Sequence, residues 1–160
     1  MPTHYSRLQI ILHWLVAGLI LLQFLANDWI GAAWHVFQDT GVKTQTFGAL
    51  LHIIPGIAVL LFAIWRIALR LIRGVPPLPA GGNPLMNKVA NWTHLALYVL
   101  IVLTPLSGMA AWGGEIKIAA EVHDLLTSLI LILIGLHTVA ALFHQFVLKD
   151  GLMDRMRRSR

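Results

Sequence analysis

Four apolar stretches, each longer than the ~20 residues that a helix needs to cross a bilayer, constrain this chain more than any other feature. They run over residues 8–30, 47–72, 89–112 and 122–148. With 58% hydrophobic and 12% charged residues, a water-soluble fold would leave far too much apolar surface exposed. The sequence therefore predicts an all-α integral membrane four-helix bundle, formed by residues 1–160 as a single transmembrane domain.

The connections and the absence of cysteine narrow the chemistry. The segment from Gly74 to Pro84 is dense in proline and glycine, which predicts an extended loop with no helix of its own. The chain has no cysteine, which excludes disulfides, thiolate-bound zinc and iron–sulfur clusters. Any metal centre must therefore rest mainly on histidine.

The distribution of basic residues predicts the orientation in the membrane. One side of the four stretches collects ten Lys and Arg residues and the other collects two. The ten are Arg7, Arg66, Arg70, Arg73, Lys88, Lys149, Arg155, Arg157, Arg158 and Arg160, and the two are Lys43 and Lys117. Both termini are therefore expected in the cytoplasm. Because the net charge of +5 follows this pattern, we expect no nucleic-acid partner.

Several of the eight histidines lie inside the apolar stretches, where an imidazole is costly and its presence points to function. His123 and His137 are about 40° apart on one helix face and about 21 Å apart along the axis. The predicted orientation sorts the deep histidines into two layers. The outer layer holds His52 and His123; the inner layer holds His13, His94 and His137, with His144 just below.

Two layers of imidazoles suit two b-type haems, each held between histidines from facing helices. Taken singly, a histidine such as His94 could instead form a buried hydrogen bond, and His144 could be an ordinary interfacial residue. Zinc, manganese or proton transport is another interpretation. No carboxylate lies at the centre of any stretch, and this weakens the transport hypothesis.

Two motifs resemble a known family. The run Tyr5-Ser6-Arg7-Leu8-Gln9-Ile10 leading to His13-Trp14 is similar to the N-terminal signature of bacterial cytochrome b561 proteins. Gly135-Leu136-His137, then Ala140-Ala141-Leu142-Phe143-His144 and Lys149-Asp150, resemble the C-terminal part of the same family. The family includes a di-haem superoxide:ubiquinone oxidoreductase and, more distantly, the cytochrome b subunits of hydrogenases and formate dehydrogenases.

The resemblance implies a membrane di-haem b cytochrome of the bacterial inner membrane. It carries electrons from a donor on the periplasmic side, with superoxide as the first candidate, to ubiquinone. The implied axial pairs are His13 with His137 and His52 with His123, with His94 as an alternative to His13. His144 matches a family histidine near the quinone, where it would act as a proton donor because imidazole titrates near neutral pH. Ser6 and Arg7 are placed to meet haem propionates or the quinone.

The predicted outer side bears on the donor. The connection from Gly113 to Glu121 is short, and acidic residues outnumber Lys43 and Lys117 there. Superoxide as donor therefore requires Lys117 or Lys43 to lie at the haem edge, where Lys117 would be a catalytic residue. The alternative is an electron-transfer subunit or anchor for a separate redox partner protein, which an acidic face would suit. A haem-free metal or proton transporter is the third hypothesis.

Overall fold

A computed structural model describes residues 4–77 and 84–157, and every regular element in these ranges is helical. The helices are α1 Arg7–Leu25, α2 Asn27–Thr40, α3 Phe47–Arg73, α4 Pro84–Gly114 and α5 Lys117–Phe143. A π-helical turn, His144–Leu148, continues α5, and a short 3₁₀ helix, Met153–Met156, follows. The all-α prediction is confirmed.

Four of these helices, α1, α3, α4 and α5 with its π-helical extension, are long and apolar enough to cross a membrane. Large apolar side chains such as Leu21, Leu61 and Ile132 are about 60% exposed, as lipid-facing residues are. The centre of the bundle is a small cluster of buried residues. It consists of Val16, Val59, Ala63, Leu97, Ile101 and Ile130. The integral membrane four-helix bundle predicted from the sequence is confirmed.

The first predicted span, 8–30, is too long. Helix α1 ends at Leu25, and Ala26 leaves the helical conformation at φ −95° and ψ 0°. A separate helix, α2, then occupies most of the connection between the first two predicted spans, residues 31–46. Asp28 in its first turn favours this new start, and Gly41 ends it in a left-handed conformation with φ 71°. An apolar run alone does not reveal such a break.

The proline- and glycine-rich segment is also shorter than predicted. Gly74 to Pro77 have no regular structure, residues 78–83 lie outside the described part, and Pro84 already begins α4. Proline suits the first position of a helix because its missing N–H would have no partner there.

The bundle has two structurally distinct ends. The terminal end holds the start of α1 and the segment after α5, since Trp14 Nε1 donates to the carbonyl of Met156 at 2.8 Å. The α2 end holds α2 and the α4–α5 connection, since the rings of Trp34 and Trp112 are 6.4 Å apart.

Candidate functional site

At the α2 end, α3 and α5 bring His52 and His123 together, with ring centroids 6.1 Å apart and planes inclined at 78°. Both side chains are half-buried. Two imidazoles that bind one metal ion from opposite sides through bonds of about 2 Å place their centroids roughly 6 Å apart. The observed separation agrees with that geometry.

The ring of His123 is held by the backbone of α4. Its Nδ1 lies 2.8 Å from the carbonyl oxygen of Thr104 and 3.2 Å from Oγ of Ser107. Because a carbonyl can only accept, Nδ1 carries the hydrogen and Nε2 keeps its lone pair, as in histidines that ligate metals. A Cβ at Gly108 would lie 2.9 Å from Cε1 of His123, so α4 leaves just enough room for the ring.

Unpaired polar atoms accumulate around the same pair. Within the described residues, four buried side-chain atoms have no hydrogen-bond partner: Gln23 Oε1, His52 Nδ1, Thr104 Oγ1 and Thr127 Oγ1. Gln23 Nε2 donates to the His52 carbonyl at 2.8 Å, and Thr127 is one helical turn after His123. Buried polar groups are rarely left unpaired unless a ligand completes the site. These atoms fit a bound group at the α2 end.

At the terminal end, three helices bring three imidazoles together. His137 of α5 lies between His13 of α1, at 6.5 Å between centroids, and His94 of α4, at 5.3 Å. The 6.5 Å pair is nearer to the ~6 Å expected for opposite axial ligands. Both predicted inner pairings are therefore within reach, and the separation favours His13.

The hydrogen bonds of these rings differ. Nδ1 of His13 lies 3.0 Å from Nη2 of Arg66, and a guanidinium only donates, so this nitrogen accepts. Nε2 of His13 then carries the hydrogen, and ligation through it requires Arg66 to leave Nδ1. His94 instead donates to the backbone of Ala90, which leaves its other nitrogen free.

Arg66 is also near these imidazoles, although from the sequence it is predicted only to contribute to the membrane orientation. It is half-buried and hydrogen-bonds Tyr98, and its guanidinium carbon lies 5.7 Å from the Tyr98 ring. Arg70, one turn later, lies 5.6 Å from the same ring. The fourteen-residue spacing from His52 to Arg66 repeats that from His123 to His137, and this repeat is the signal that places Arg66 in the inner layer.

His144 opens the π-helical turn and contacts the segment that follows it. Its Nδ1 donates to Oδ2 of Asp150 at 2.6 Å, and the N–H of Leu152 donates to Oδ1 at 3.0 Å. Partial burial raises the pKa of Asp150, but the bonds from His144 and Leu152 outweigh it and hold this pKa below its usual value. The carboxylate therefore stays charged and orients the imidazole.

The other predicted site residues lie apart from the imidazoles. Ser6 Oγ accepts from the N–H of Gln9 at 3.4 Å, in a capping box that starts α1. Arg7 is exposed. Lys117 is exposed at the start of α5, about 9 Å along the axis and about 120° around it from His123. Lys43 is paired with Glu115 at 2.9 Å.

In the described part of the chain, no group of three His, Cys, Asp or Glu side chains, the three terminal-end imidazoles included, has an arrangement that could hold a metal ion. Zinc and manganese sites need such a set of ligands, whereas haem needs two opposed imidazoles. A membrane bundle with opposed histidines at both ends defines a class of protein, the membrane cytochromes that hold haem between facing helices.

Residues 4–159 match the family described as prokaryotic cytochrome b561, and the chain belongs to that family. The resemblance noted in the sequence is thereby confirmed. The protein is a haem b-binding electron-transfer protein of the bacterial inner membrane with several membrane spans.

Three relatives illustrate the range of the family. Cytochrome b562 of Cereibacter sphaeroides is 42% identical over 156 residues, covering 98% of this chain and 96% of that protein. The probable superoxide oxidase CybB of Yersinia pestis is 30% identical over 177 residues, covering 98% and 97%. Cytochrome b561 homolog 1 of Escherichia coli is 27% identical, covering 95% and 96%. The 177-residue alignment exceeds the 160 residues of this chain, so CybB contains inserted residues.

Proposed function

We propose that this protein carries electrons across the membrane from a donor at the α2 end to ubiquinone at the terminal end, which faces the cytoplasm. Two haems b are held per chain, one between His52 and His123 and one between His137 and His13, with His94 as the alternative partner of His137. The observation that carries the proposal is the pair of opposed imidazoles at each end, 6.1 Å and 6.5 Å apart.

When bound, haem b supplies one-electron redox chemistry, and the protein's residues set its position and surroundings. The Thr104 carbonyl fixes the tautomer of His123 and leaves Nε2 to ligate. The α5 backbone spaces His123 and His137 about 21 Å apart along the axis. Electron transfer between the haems requires no general acid or base. A proton donor is required only where the quinone is reduced.

Ubiquinone reduction needs two electrons and two protons, and His144 is suited to pass the protons on one at a time, taking up a new proton from the cytoplasm after each transfer. The 2.6 Å hydrogen bond to the charged Asp150 fixes the orientation of the His144 imidazole. The segment after α5 is tied to α1 at the terminal end, where Trp14 Nε1 donates to the carbonyl of Met156. His144 is the proposed proton donor, and Asp150 is a positioning residue that the sequence analysis does not predict.

Superoxide is the first candidate donor, because the relative CybB bears the name probable superoxide oxidase. Lys117 is the proposed cation that attracts this anion. Lys43 is less suited to that role, since Glu115 neutralises it.

A second candidate is supported by the charge of the α2 end. Acidic residues at this end are Asp28, Asp39, Glu115, Glu121 and Asp124, against Lys43 and Lys117. A negative surface repels an anion and attracts a basic redox protein. In that case the chain is an electron-transfer subunit or anchor for a separate partner protein.

The decisive experiment starts with a reduced-minus-oxidised spectrum of the detergent-purified protein and haem b quantified per chain. Two haems per chain support the proposal, and none in a haem-sufficient host would contradict it. A superoxide pulse that reduces ubiquinone without any added protein supports the first donor. Reduction that requires an added redox protein supports the second.

A further inference from the structure

The terminal end contains two guanidinium groups on one aromatic ring, inside the bundle. Arg66 and Arg70 lie 5.7 Å and 5.6 Å from the centre of the Tyr98 ring. Arg66 reaches the inner group of imidazoles, since its Nη2 lies 3.0 Å from Nδ1 of His13 and the His13 ring is 6.5 Å from that of His137. Arginine inside a membrane span is costly unless an anion accompanies it.

Within residues 4–77 and 84–157, no Asp or Glu side chain pairs with these two arginines. The salt bridges of the described residues are Lys43 with Glu115 and His144 with Asp150, so neither includes Arg66 or Arg70. Residues outside the described ranges contain no Asp or Glu. Five of the seven acidic side chains lie at the opposite, α2 end, and Asp150 is held by His144. The seventh, Asp154, lies in the short 3₁₀ helix after α5 and is in neither of these salt bridges.

Tyr5 does not supply a negative charge either. Burial raises the pKa of Tyr5 and outweighs the lowering by Arg70, Arg155 and Arg66, so this phenol stays neutral at neutral pH. The contacts of Arg66 are with the hydroxyl and ring of Tyr98 and with Nδ1 of His13, and none of these groups is a carboxylate. No acidic side chain in the described ranges therefore supplies an anion to these two arginines.

We propose that Arg66 and Arg70 form a carboxylate-binding site that holds a propionate group of the haem at the terminal end. Arg66 exchanges its contact with Nδ1 of His13 for that carboxylate, which leaves His13 able to ligate through Nε2. The inference rests on the proposed function, namely that haem binds at this end. Arginine suits the task because its planar group pairs with a carboxylate through two parallel hydrogen bonds.

The first test compares variants of the full-length protein by potentiometric titration and by haem content. Removing a positive charge beside a haem disfavours its reduced form. We expect R66Q to lower the equilibrium constant for reduction of one haem at least tenfold, or to lose that haem. A tenfold change corresponds to a reduction potential about 59 mV lower for a one-electron step. R66K keeps the charge but not the planar group that makes two parallel hydrogen bonds, so we expect it to shift the reduction potential less. R70Q is expected to shift the potential of the same haem.

Arg73 provides the matched control, since it lies one turn beyond Arg70 on α3 and is exposed. R73Q leaves both potentials and the haem content unchanged. If R66Q and R70Q also leave both haems unchanged, the inference is overturned while the proposed function stands. If the wild-type protein binds no haem b, both are overturned.

A second test avoids the risk that R66Q fails to fold. The variant H123A disrupts the imidazole pair at the α2 end and leaves the terminal-end imidazoles intact. It is produced without haem and titrated with haem b or with the dimethyl ester of haem b, in which both propionates are blocked. We expect the ester to bind at least tenfold more weakly. Equal binding would assign the two arginines to another anion, such as a lipid phosphate, and overturn the inference.

Discussion

Nδ1 of His123 donates to the carbonyl of Thr104 across 2.8 Å, so a side chain of α5 is oriented by the backbone of α4. The same carbonyl accepts from Oγ of Ser107 at 2.7 Å. One peptide group of α4 thus fixes both the tautomer and the direction of the ring. His52 has no such partner for its own Nδ1, which makes the two members of this pair unequal.

Replacement of either histidine at the α2 end removes one haem and leaves the other. We expect H52A and H123A each to retain about one haem b per chain, because the terminal-end imidazoles lie about 21 Å away along α5. Haem quantification checks this, with H35A on the exposed surface of α2 as control. Loss of both haems from a single replacement would contradict the independent pairs.

Gly108 is predicted to be intolerant of a methyl group. In G108A the added Cβ lies 2.9 Å from Cε1 of His123, so the ring must move. Overpacking of this kind costs typically 1–3 kcal/mol, which weakens haem binding about 5- to 150-fold. Haem titration measures the change. G113A, on the same helix with nothing within 4 Å, is expected to bind as the wild type does.

His144 and Asp150 are predicted to act together on the quinone. H144A should reduce ubiquinone about 100-fold more slowly with both haems retained, since proton donors contribute about that factor or more. D150N loses the orienting charge but keeps the imidazole, so its rate falls less. Single-turnover quinone reduction measures both, and unchanged rates would assign proton delivery to another group.

The lowered pKa of Asp150 also predicts a pH dependence of stability. Its contribution is fully present above the ordinary carboxyl pKa of about 3.9 and is lost as pH falls through the lower folded value. The difference in melting temperature between wild type and D150N should therefore be constant near neutral pH and vanish in strong acid. A difference that disappears near neutrality would contradict this assignment.

Charge replacement at the α2 end separates the two donors. E121Q removes a negative charge two residues before His123. Reduction by superoxide should become a few-fold faster, whereas reduction by a basic redox protein should become slower. K117Q has the opposite effects. Stopped-flow rates at low and high salt check this, because steering weakens with ionic strength.

The membrane-spanning helices, which long apolar stretches determine, are predictable from the sequence. Spans of more than 20 apolar residues and a fourteen-residue histidine spacing indicate the bundle and the positions of His123 and His137. The break at Ala26 is not predictable in this way, because both sides of it are helical and the apolar stretch resumes after Asn27 and Asp28.

The electrostatics of the terminal end are the other part that the sequence does not reveal. From the sequence, the Arg66 side chain is expected to extend to the membrane interface with the other basic residues of the predicted cytoplasmic side, as long basic side chains do. In the structure it bends toward His13 instead. The contact of Asp150 with His144 likewise depends on Lys149, whose φ of 52° turns the chain back at that point.

One helix, α5, carries a member of each imidazole pair, at positions 123 and 137. In the proposed mechanism, the length of the electron-tunnelling step is therefore set by the rise of a single continuous helix. Thinning of the bilayer, or tilting of α1 and α3, leaves that length nearly constant. An insertion or deletion of one residue between the two histidines, in contrast, would rotate one of them by about 100° around the helix axis, away from its partner histidine.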